Sequence, residues 1–310
     1  MGVTAHVLFY FIDGRMIMAD TFEFKNLVGT VKGMTAILDN VECDDDSVEV
    51  TGVDWFTYAN NPVTTIYVNG NNYIGFGVDE EQLKICNDDG EIYYVYRQDG
   101  TLDTGEKFLK IRVEGFTDYD IDYQDDRSAL KYELFILNNQ TIKLLLLQLP
   151  SDADRLGTSS VSDGTNTADL PITSETKAPF LIEVKNAGVS QEVTGTAINF
   201  TKIEVTKLPN KTEYYQKEPF DSTGIVVTGT SDIGNFEING YTLSGFDNNS
   251  AGTKTITVSY DTLTTTFDVN VSDIAITGID YTCPESELKH HLESEPNFNN
   301  FTFYKSLSNN

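Results

Sequence analysis

Three aspartates in the middle of the chain are the side chains with the clearest potential for chemistry. They are Asp118, Asp120 and Asp122, spaced two residues apart in an acidic run that ends at Asp126. In an extended strand every second residue lies on the same face, so this spacing would place three carboxylates side by side. Carboxylates in that arrangement repel one another unless a cation lies between them, and Ca²⁺ takes oxygen ligands. Two interpretations stay open: a calcium site at these aspartates, and a solvated acidic strand with its loop.

No other group of reactive residues forms a catalytic motif. Asp103–Gly105 spells the aspartic-protease triplet, but the turn sequence Gln98–Thr101 precedes it, where that chemistry needs an apolar strand and a second triplet. The histidines His6, His290 and His291 lie in no nucleophile motif. We therefore expect a protein that is not an enzyme and needs no cofactor, with Ca²⁺ as the one candidate ion.

Aromatic residues offer a different kind of site. The chain has 16 Tyr and 18 Phe. Tyrosines that alternate on a strand can face solvent and stack on sugar rings, which makes a host cell-surface glycan a candidate ligand. The competing interpretation places the same rings in the core or between subunits. The residues concerned form two clusters: Tyr93, Tyr94 and Tyr96, and Phe116, Tyr119 and Tyr123.

The elements that must position these residues are predicted to be strands. Asn-Gly and Asp-Gly pairs, which favour tight hairpin turns, separate runs rich in β-branched and aromatic residues. Thr141–Leu149 is apolar, and Pro150 favours a buried strand over a helix there. The polar stretch Ser151–Thr176 is predicted to be a long loop. The predicted strands before it are Thr64–Val68, Asn72–Gly77, Glu91–Tyr96, Lys107–Val113 and Tyr132–Leu137.

A second β-rich region follows, from Thr201 to Ser272. Its last part alternates apolar and polar residues, with Ile256 and Val258 in one run and Phe267 and Val269 in the next. This pattern indicates an antiparallel hairpin with one buried face. Several short strands separated by Gly, Asn and Asp within about seventy residues are typical of a β-sandwich.

The finer features of residues 201–272 resemble the bacterial Ig-like domains of group 3. The resemblance implies a small Ig-like β-sandwich of the kind that serves as a spacer or presents a surface. Lys217 stands where the family usually has Gly. The residues that carry the resemblance are Tyr215, Phe220-Asp221, Gly224–Val227, Ser244–Asp247, Gly252-Thr253 and the closing hairpin up to Val271.

Residues 65 to 200 resemble, with lower specificity, a β-rich module of tail, fibre and other virion proteins from phages of Firmicutes. The resemblance implies a non-catalytic structural role in a phage particle. Cys86-Asn87 stands where basic residues are expected, and Tyr73 where Trp is common. The elements that carry the resemblance are Tyr73–Gly77, Leu83–Ile85, Tyr93–Thr101, Lys107–Arg112 and Glu114–Phe116.

Composition limits the partners and the compartment. The formal net charge of −27 repels nucleic acids and anionic membranes, so we expect neither as a partner. Cys43, Cys86 and Cys283 are odd in number and far apart, which indicates a reducing cytoplasm and no disulfide framework. The apolar run Val7–Ile12 is too short for a secretory signal, and we expect no membrane insertion.

These observations predict an all-β protein with three parts. Residues 1–200 form a β-rich, sandwich-like assembly domain, residues 201–272 the Ig-like domain, and residues 273–310 a C-terminal extension. The expected function is that of a non-enzymatic phage structural protein of the tail, baseplate or fibre. It would assemble in the host cytoplasm as a homo-oligomer, contact other virion proteins and lie exposed on the particle. A capsid decoration protein and a bacterial surface adhesin are the alternatives. An enzyme such as a glycan depolymerase is a further one, although no carboxylate pair can be singled out for it from the sequence.

Overall fold

The computed structural model describes residues 6–12, 15–80, 82–120, 122, 124–185, 191–273, 276–282 and 302–307. In 6–12, 15–21, 276–282 and 302–307 it describes the strands but not the side chains. Strands dominate these ranges, and the all-β prediction is confirmed. The helical elements are short: α1 spans Phe24–Leu27 and a 3-10 turn spans Ala153–Arg155. No helix of the described residues has the length and apolar character needed to cross a bilayer.

The chain forms two compact units. The first contains Met1–Lys202 together with Thr228–Ile238, and the second contains Ile203–Val227 together with Asn239–Asn310. The predicted domain boundaries after residues 200 and 272 stay a prediction.

A large sheet forms one layer of the first unit. Its strand order is β1-β2-β8-β9-β10-β11-β14-β15, and β3 also pairs with β8. The neighbouring strands β8, β9, β10 and β11 are antiparallel. The turn predicted at Gln98–Thr101 is wrong, because these residues lie within β8 and the chain turns at residues 103–105 instead. The bounds are β1 His6–Ile12, β2 Arg15–Phe22, β3 Thr35–Cys43, β8 Glu91–Leu102, β9 Lys107–Phe116, β10 Ala129–Leu137, β11 Ile142–Gln148, β14 Phe180–Lys185 and β15 Glu192–Ala197.

A six-stranded sheet forms the opposite layer, in the order β13-β12-β7-β6-β5-β4. Side chains from both sheets form one continuous hydrophobic core, which includes Val50 and Ile66 from this sheet and Ile111 and Leu134 from the large one. The first unit is therefore sandwich-like, as predicted. The bounds are β4 Ser47–Tyr58, β5 Asn61–Asn69, β6 Tyr73–Phe76, β7 Leu83–Asn87, β12 Thr158–Ser162 and β13 Thr167–Asp169.

The prediction of a long loop over Ser151–Thr176 is wrong, because β12 and β13 lie within it. Strand β12 pairs with β7, and its Val161 is fully buried in the core. The stretch is polar because this strand contributes one apolar side chain to the interior. A single Val among Ser and Thr gives no periodic signal.

A second core covers part of the outer face of the large sheet. Phe108, Phe135 and Leu145 point outward from the sheet and pack against Leu27 and Phe236. This packing explains why β10 is buried on both faces over most of its length. Phe236 comes from the segment Thr228–Ile238 of the first unit.

The strands between residues 202 and 272 form two sheets, with orders β16-β18-β19 and β17-β22-β21-β20. The long hairpin of β21 and β22 has the predicted alternation, since Ile256, Val258, Phe267 and Val269 are buried. A separate two-stranded sheet joins β23 and β24. The bounds are β16 Lys202–Lys207, β17 Glu213–Tyr215, β18 Val226–Thr230, β19 Asn235–Glu237, β20 Thr242–Ser244, β21 Gly252–Tyr260, β22 Leu263–Ser272, β23 Ile276–Thr282 and β24 Thr302–Leu307.

Candidate functional site

Four connections between strands come together at one end of the first unit. The Asn71 side chain links two of them, since its Nδ2 donates to Asp45 Oδ1 (3.2 Å) and its Oδ1 accepts from the Gly90 N–H (3.1 Å). A third connection joins through the Tyr119 N–H, which donates to the Asp89 carbonyl oxygen (2.9 Å). We call this region the loop end; it consists of residues 44–46, 70–72, 88–90 and 117–128, except 121 and 123.

The loop end brings together Asp44, Asp45 and Asp89, whose nearest carboxylate oxygens all lie within 4.8 Å of one another. Asp44 Oδ1 is buried and accepts no hydrogen bond. Desolvation, followed by repulsion from Asp45, Asp89, Glu91 and Glu42, raises the pKa of Asp44. Oxygen groups of this kind could hold a hard cation such as Ca²⁺. The cluster could not be predicted from the sequence, because Asp89 follows Asp45 by more than forty residues and no local spacing relates them.

The aspartates proposed from the sequence occupy a different position. Asp118, Asp120 and Asp122 lie in the connection between β9 and β10, not on a strand. Asp118 is buried and its Oδ2 pairs with the Arg155 guanidinium, while its Oδ1 accepts from the Asp120 N–H (2.9 Å). Asp120 Oδ1 in turn accepts from the Asp122 N–H (3.1 Å). Each of the first two carboxylates thus orders the loop, Arg155 supplies the positive charge at Asp118, and the calcium site there stays a prediction.

The remaining sequence candidates show no catalytic arrangement among the described residues. Asp103–Gly105 forms the turn between β8 and β9, and Gly105 has a positive φ of 98° that suits glycine. His6 lies in β1, of which the backbone alone is described. His290, His291 and Tyr123 lie outside the described residues.

The tyrosines of β8 differ in their surroundings. Tyr93 is tied down, since its hydroxyl donates to Glu91 Oε2 (2.6 Å) and its ring packs edge-on against Phe116 at 6.0 Å. Desolvation and the Glu91 carboxylate raise the pKa of Tyr93 to about 12. Tyr119 is 55% exposed in the loop end.

Tyr94 and Tyr96 form a pair on the outer face of the large sheet. They pair in register with Glu114 and Arg112 of β9, and the intervening Val95 is fully buried in the core. Their rings are parallel to within 4°, with centroids 6.1 Å apart. The Tyr94 hydroxyl donates to Asn40 Oδ1 (2.9 Å), which fixes the ring relative to β3. Both side chains are partly exposed.

A ladder of ion pairs crosses the sheet beside these rings. Arg112 Nε lies 2.7 Å from Glu114, and Lys131 Nζ lies 3.1 Å from the same carboxylate. Glu133 continues the ladder, with Arg112 at 3.1 Å and the fully buried Lys110 at 2.8 Å. Burial alone would raise the pKa of Glu114, but the charges of Arg112 and Lys131 outweigh burial and lower it. The Glu114 carboxylate is therefore ionised and paired at neutral pH.

The buried end of the ladder has a structural role. The Lys110 ammonium donates to the Leu27 and Thr30 carbonyl oxygens at 2.5 and 2.6 Å, and Glu133 Oε2 accepts from the Gly29 N–H at 2.8 Å. Desolvation lowers the pKa of Lys110, against the attraction of Glu133. The pair clamps the segment after α1 onto the sheet. The ladder was readable in the sequence, because Lys110, Arg112 and Glu114 alternate with apolar residues on β9.

The second unit is organised around Tyr214. Its ring packs against Phe220 at 5.7 Å and Phe246 at 5.0 Å, and it is nearly fully buried. Its hydroxyl lies 3.0 Å from the Lys211 carbonyl oxygen and 3.1 Å from that of Asp221. These contacts join the start of the strand β17 to the segment that leads into β18.

Comparison with known protein families identifies a domain in this region. Residues 207–271 are a bacterial Ig-like domain of group 3. The Ig-like domain covers most of the span predicted from the sequence and includes the long hairpin of β21 and β22. No curated protein matches the chain.

Two residues of the Ig-like domain that carry or depart from the family pattern, Asp247 and Lys217, have defined local structures. Lys217, which departs from the usual Gly, has a positive φ of 69°. The position therefore adopts the backbone conformation that favours glycine, and Lys is accommodated there with its Nζ 2.6 Å from Asn249 Oδ1. Asp247 accepts hydrogen bonds from the Asn249 N–H and from Ser250, which lower its pKa to about 2. These contacts order a turn of the domain.

Proposed function

We propose that the protein is a non-enzymatic structural component of a phage particle, located in the tail, baseplate or fibre, where it displays its Ig-like domain. The observation that carries the proposal is the Ig-like domain at residues 207–271, which is consistent with a surface or adhesin-type protein. The resemblance of residues 65–200 to phage virion modules supports the finer assignment. The first unit is the part that would dock on the particle.

The charge of the chain supports display in many copies. A net charge of −27 keeps identical molecules apart in solution and opposes non-specific association at high local concentration. Weak contacts made by each copy would be multiplied by avidity when several copies face one surface. A bacterial surface adhesin is the second candidate, since the Ig-like domain supports it equally.

Immunogold electron microscopy of gradient-purified particles tests the proposal. An antibody against residues 207–271 would be applied to particles from lysates of the strain that carries the gene, with particles lacking the gene as the control. We expect gold at the tail, baseplate or fibre. Uniform gold on the capsid would indicate a decoration protein, and gold on cell surfaces alone would show an adhesin and contradict the proposal.

A further inference from the structure

The outer face of the large sheet carries a partly exposed group that consists of two tyrosines and the accessible end of the ion ladder. We call it the tyrosine face; it consists of Tyr94, Tyr96, Arg112, Glu114 and Lys131. The sheet register brings these five residues together on the side opposite the core. Arg112, Glu114 and Lys131 retain side-chain exposures of 11%, 24% and 32%, so all three side chains are partly accessible to solvent.

The tyrosine face is rigid before any ligand binds. Strand β8 is paired on one side by β3 and on the other by β9. The Tyr94 hydroxyl is fixed by Asn40, and the two rings are held parallel to within 4°. Tyrosines on a regular strand supply amphipathic contact area at low cost in conformational entropy.

The chemistry of the tyrosine face selects the class of ligand. Aromatic rings with nearby hydrogen-bonding groups suit a ligand that has apolar C–H faces and many hydroxyl groups. Each exposed charge already takes part in an ion pair, so none of them is free to bind an ion. An anionic polymer would also be repelled by a chain with a net charge of −27.

We propose that the tyrosine face binds a neutral saccharide chain, with Tyr94 and Tyr96 contacting sugar rings and Asn40, Arg112 and Glu114 hydrogen-bonding the hydroxyl groups. The inference deepens the proposed attachment role and rests on it for its biological meaning. The binding itself is a property of the first unit, so it is testable without knowing where the protein is displayed.

Affinity electrophoresis of the full chain in native gels tests the proposal. The gels would contain soluble glucomannan, xyloglucan, dextran or galactan as neutral probes, and polygalacturonate as an anionic probe. We expect at least one neutral polysaccharide to slow the protein, and polygalacturonate to leave its mobility unchanged. The doubly substituted chain Tyr94→Ala, Tyr96→Ala should lose affinity about tenfold or more.

Two further variants separate binding from folding. Tyr119→Ala removes a tyrosine that is 55% exposed in the loop end and should leave the retardation intact. Tyr94→Phe with Tyr96→Phe retains both rings, so it should preserve the retardation if stacking provides the affinity. Circular dichroism would verify that each variant is folded.

Three results would overturn the saccharide proposal: no retardation by any neutral probe, retardation by polygalacturonate alone, or full retardation of the double alanine variant. A negative gel combined with gold on particle tails would reject the saccharide site and leave the virion assignment standing. If a neutral polysaccharide retards the protein but no gold binds the particles, the virion assignment would be rejected and the saccharide site would stand.

Discussion

At the scale of single residues, the most constrained group is the buried pair of Lys110 and Glu133. Both side chains are fully inaccessible, and together they satisfy three backbone groups of residues 27–30, at the end of α1 and just after it. A buried ion pair of this kind adds little net stability compared with apolar residues. Removing one partner is costly, because the other charge is left in a medium of low dielectric constant.

We expect Glu133→Gln to lower the free energy of unfolding by about 3–5 kcal/mol, because it leaves the Lys110 ammonium without a countercharge. Urea denaturation followed by the fluorescence of Trp55, the one tryptophan of the chain, measures the change in the first unit. The matched control is Glu183→Gln, which removes a partly exposed pair with Lys143 at 2.7 Å and should cost about 1 kcal/mol or less. Equal losses in the two variants would show that burial of the pair has no special weight.

Two acidic residues of the loop end, Asp44 and Asp125, should change the stability of the protein in opposite directions when each is replaced by Asn at pH 7. The pKa of Asp44 is raised by desolvation and by neighbouring carboxylates, so its ionisation in the folded state costs stability as the pH rises through that pKa. Asp44→Asn should therefore stabilise the protein at pH 7. The gain should vanish in acid, where the side chain at position 44 is neutral in both the wild type and the variant. Thermal unfolding at pH 7 and at successively lower pH measures the difference.

Asp125 provides the control with the reverse sign. Hydrogen bonds from the Arg127 side chain and N–H hold the pKa of Asp125 below its usual range. The stability from Asp125 is present above its unfolded pKa and is lost as the pH falls through the folded pKa. Asp125→Asn should thus destabilise the protein at pH 7 and have no effect in acid. A loss for Asp44→Asn at pH 7 would contradict the repulsion in the cluster.

At the scale of elements, the segment Thr228–Ile238 belongs with the large sheet of the first unit, where Phe236 fills the second core. Phe236 is 1% exposed and lies 6.2 Å from the Phe200 ring. The element is thus held by a side chain that the sequence pattern assigned to the Ig-like region.

Phe236→Ala should lower the free energy of unfolding of the first unit by about 3–5 kcal/mol, because it leaves a cavity against the sheet. The Trp55 signal reports the change, since Trp55 packs against the core between the two sheets. Leu208→Ala removes a side chain that is 49% exposed and should change stability by less than about 0.5 kcal/mol. If the unfolding transition reported by Trp55 is the same in the wild type and in Phe236→Ala, the second core does not stabilise the first unit.

The elements show what a sequence can and cannot reveal. Runs rich in β-branched and aromatic residues predicted the long antiparallel strands, because each strand with one buried face repeats its pattern several times. The Asp99-Gly100 pair wrongly predicted a turn, because these residues continue strand β8. Strand β12 was missed, because Val161 is its one fully buried apolar side chain. The outward face of β9 could be predicted in the same way, because charged and apolar residues alternate along this strand.

The candidate sites depended on contacts that local patterns do not contain. Asp44 and Asp89 lie on two different connections, each of which joins a strand of one sheet to a strand of the other. Asp118 pairs with Arg155, which lies 37 residues further along the chain. The pairing of Tyr94 with Glu114 needs the register of β8 against β9, including the irregularity between Ile92 and Tyr94. Such juxtapositions are set by topology and register.

At the scale of the whole molecule, the proposed role requires assembly. We expect the full chain to form a defined homo-oligomer, such as a trimer or hexamer, because tails, baseplates and fibres are built with rotational symmetry. Size-exclusion chromatography with light scattering, with Ca²⁺ and with chelator, measures the mass. A monomer of 34.5 kDa in every condition would contradict self-assembly of the isolated chain.

The most direct measurement is the number of copies in a purified particle. Quantitative mass spectrometry with isotope-labelled peptides would compare this chain with the major capsid protein in gradient-purified particles. We predict a fixed, small copy number that is a multiple of three or six. Absence of the chain from the particles would contradict a virion role, and a copy number equal to that of the capsid protein would contradict a place in the tail, baseplate or fibre.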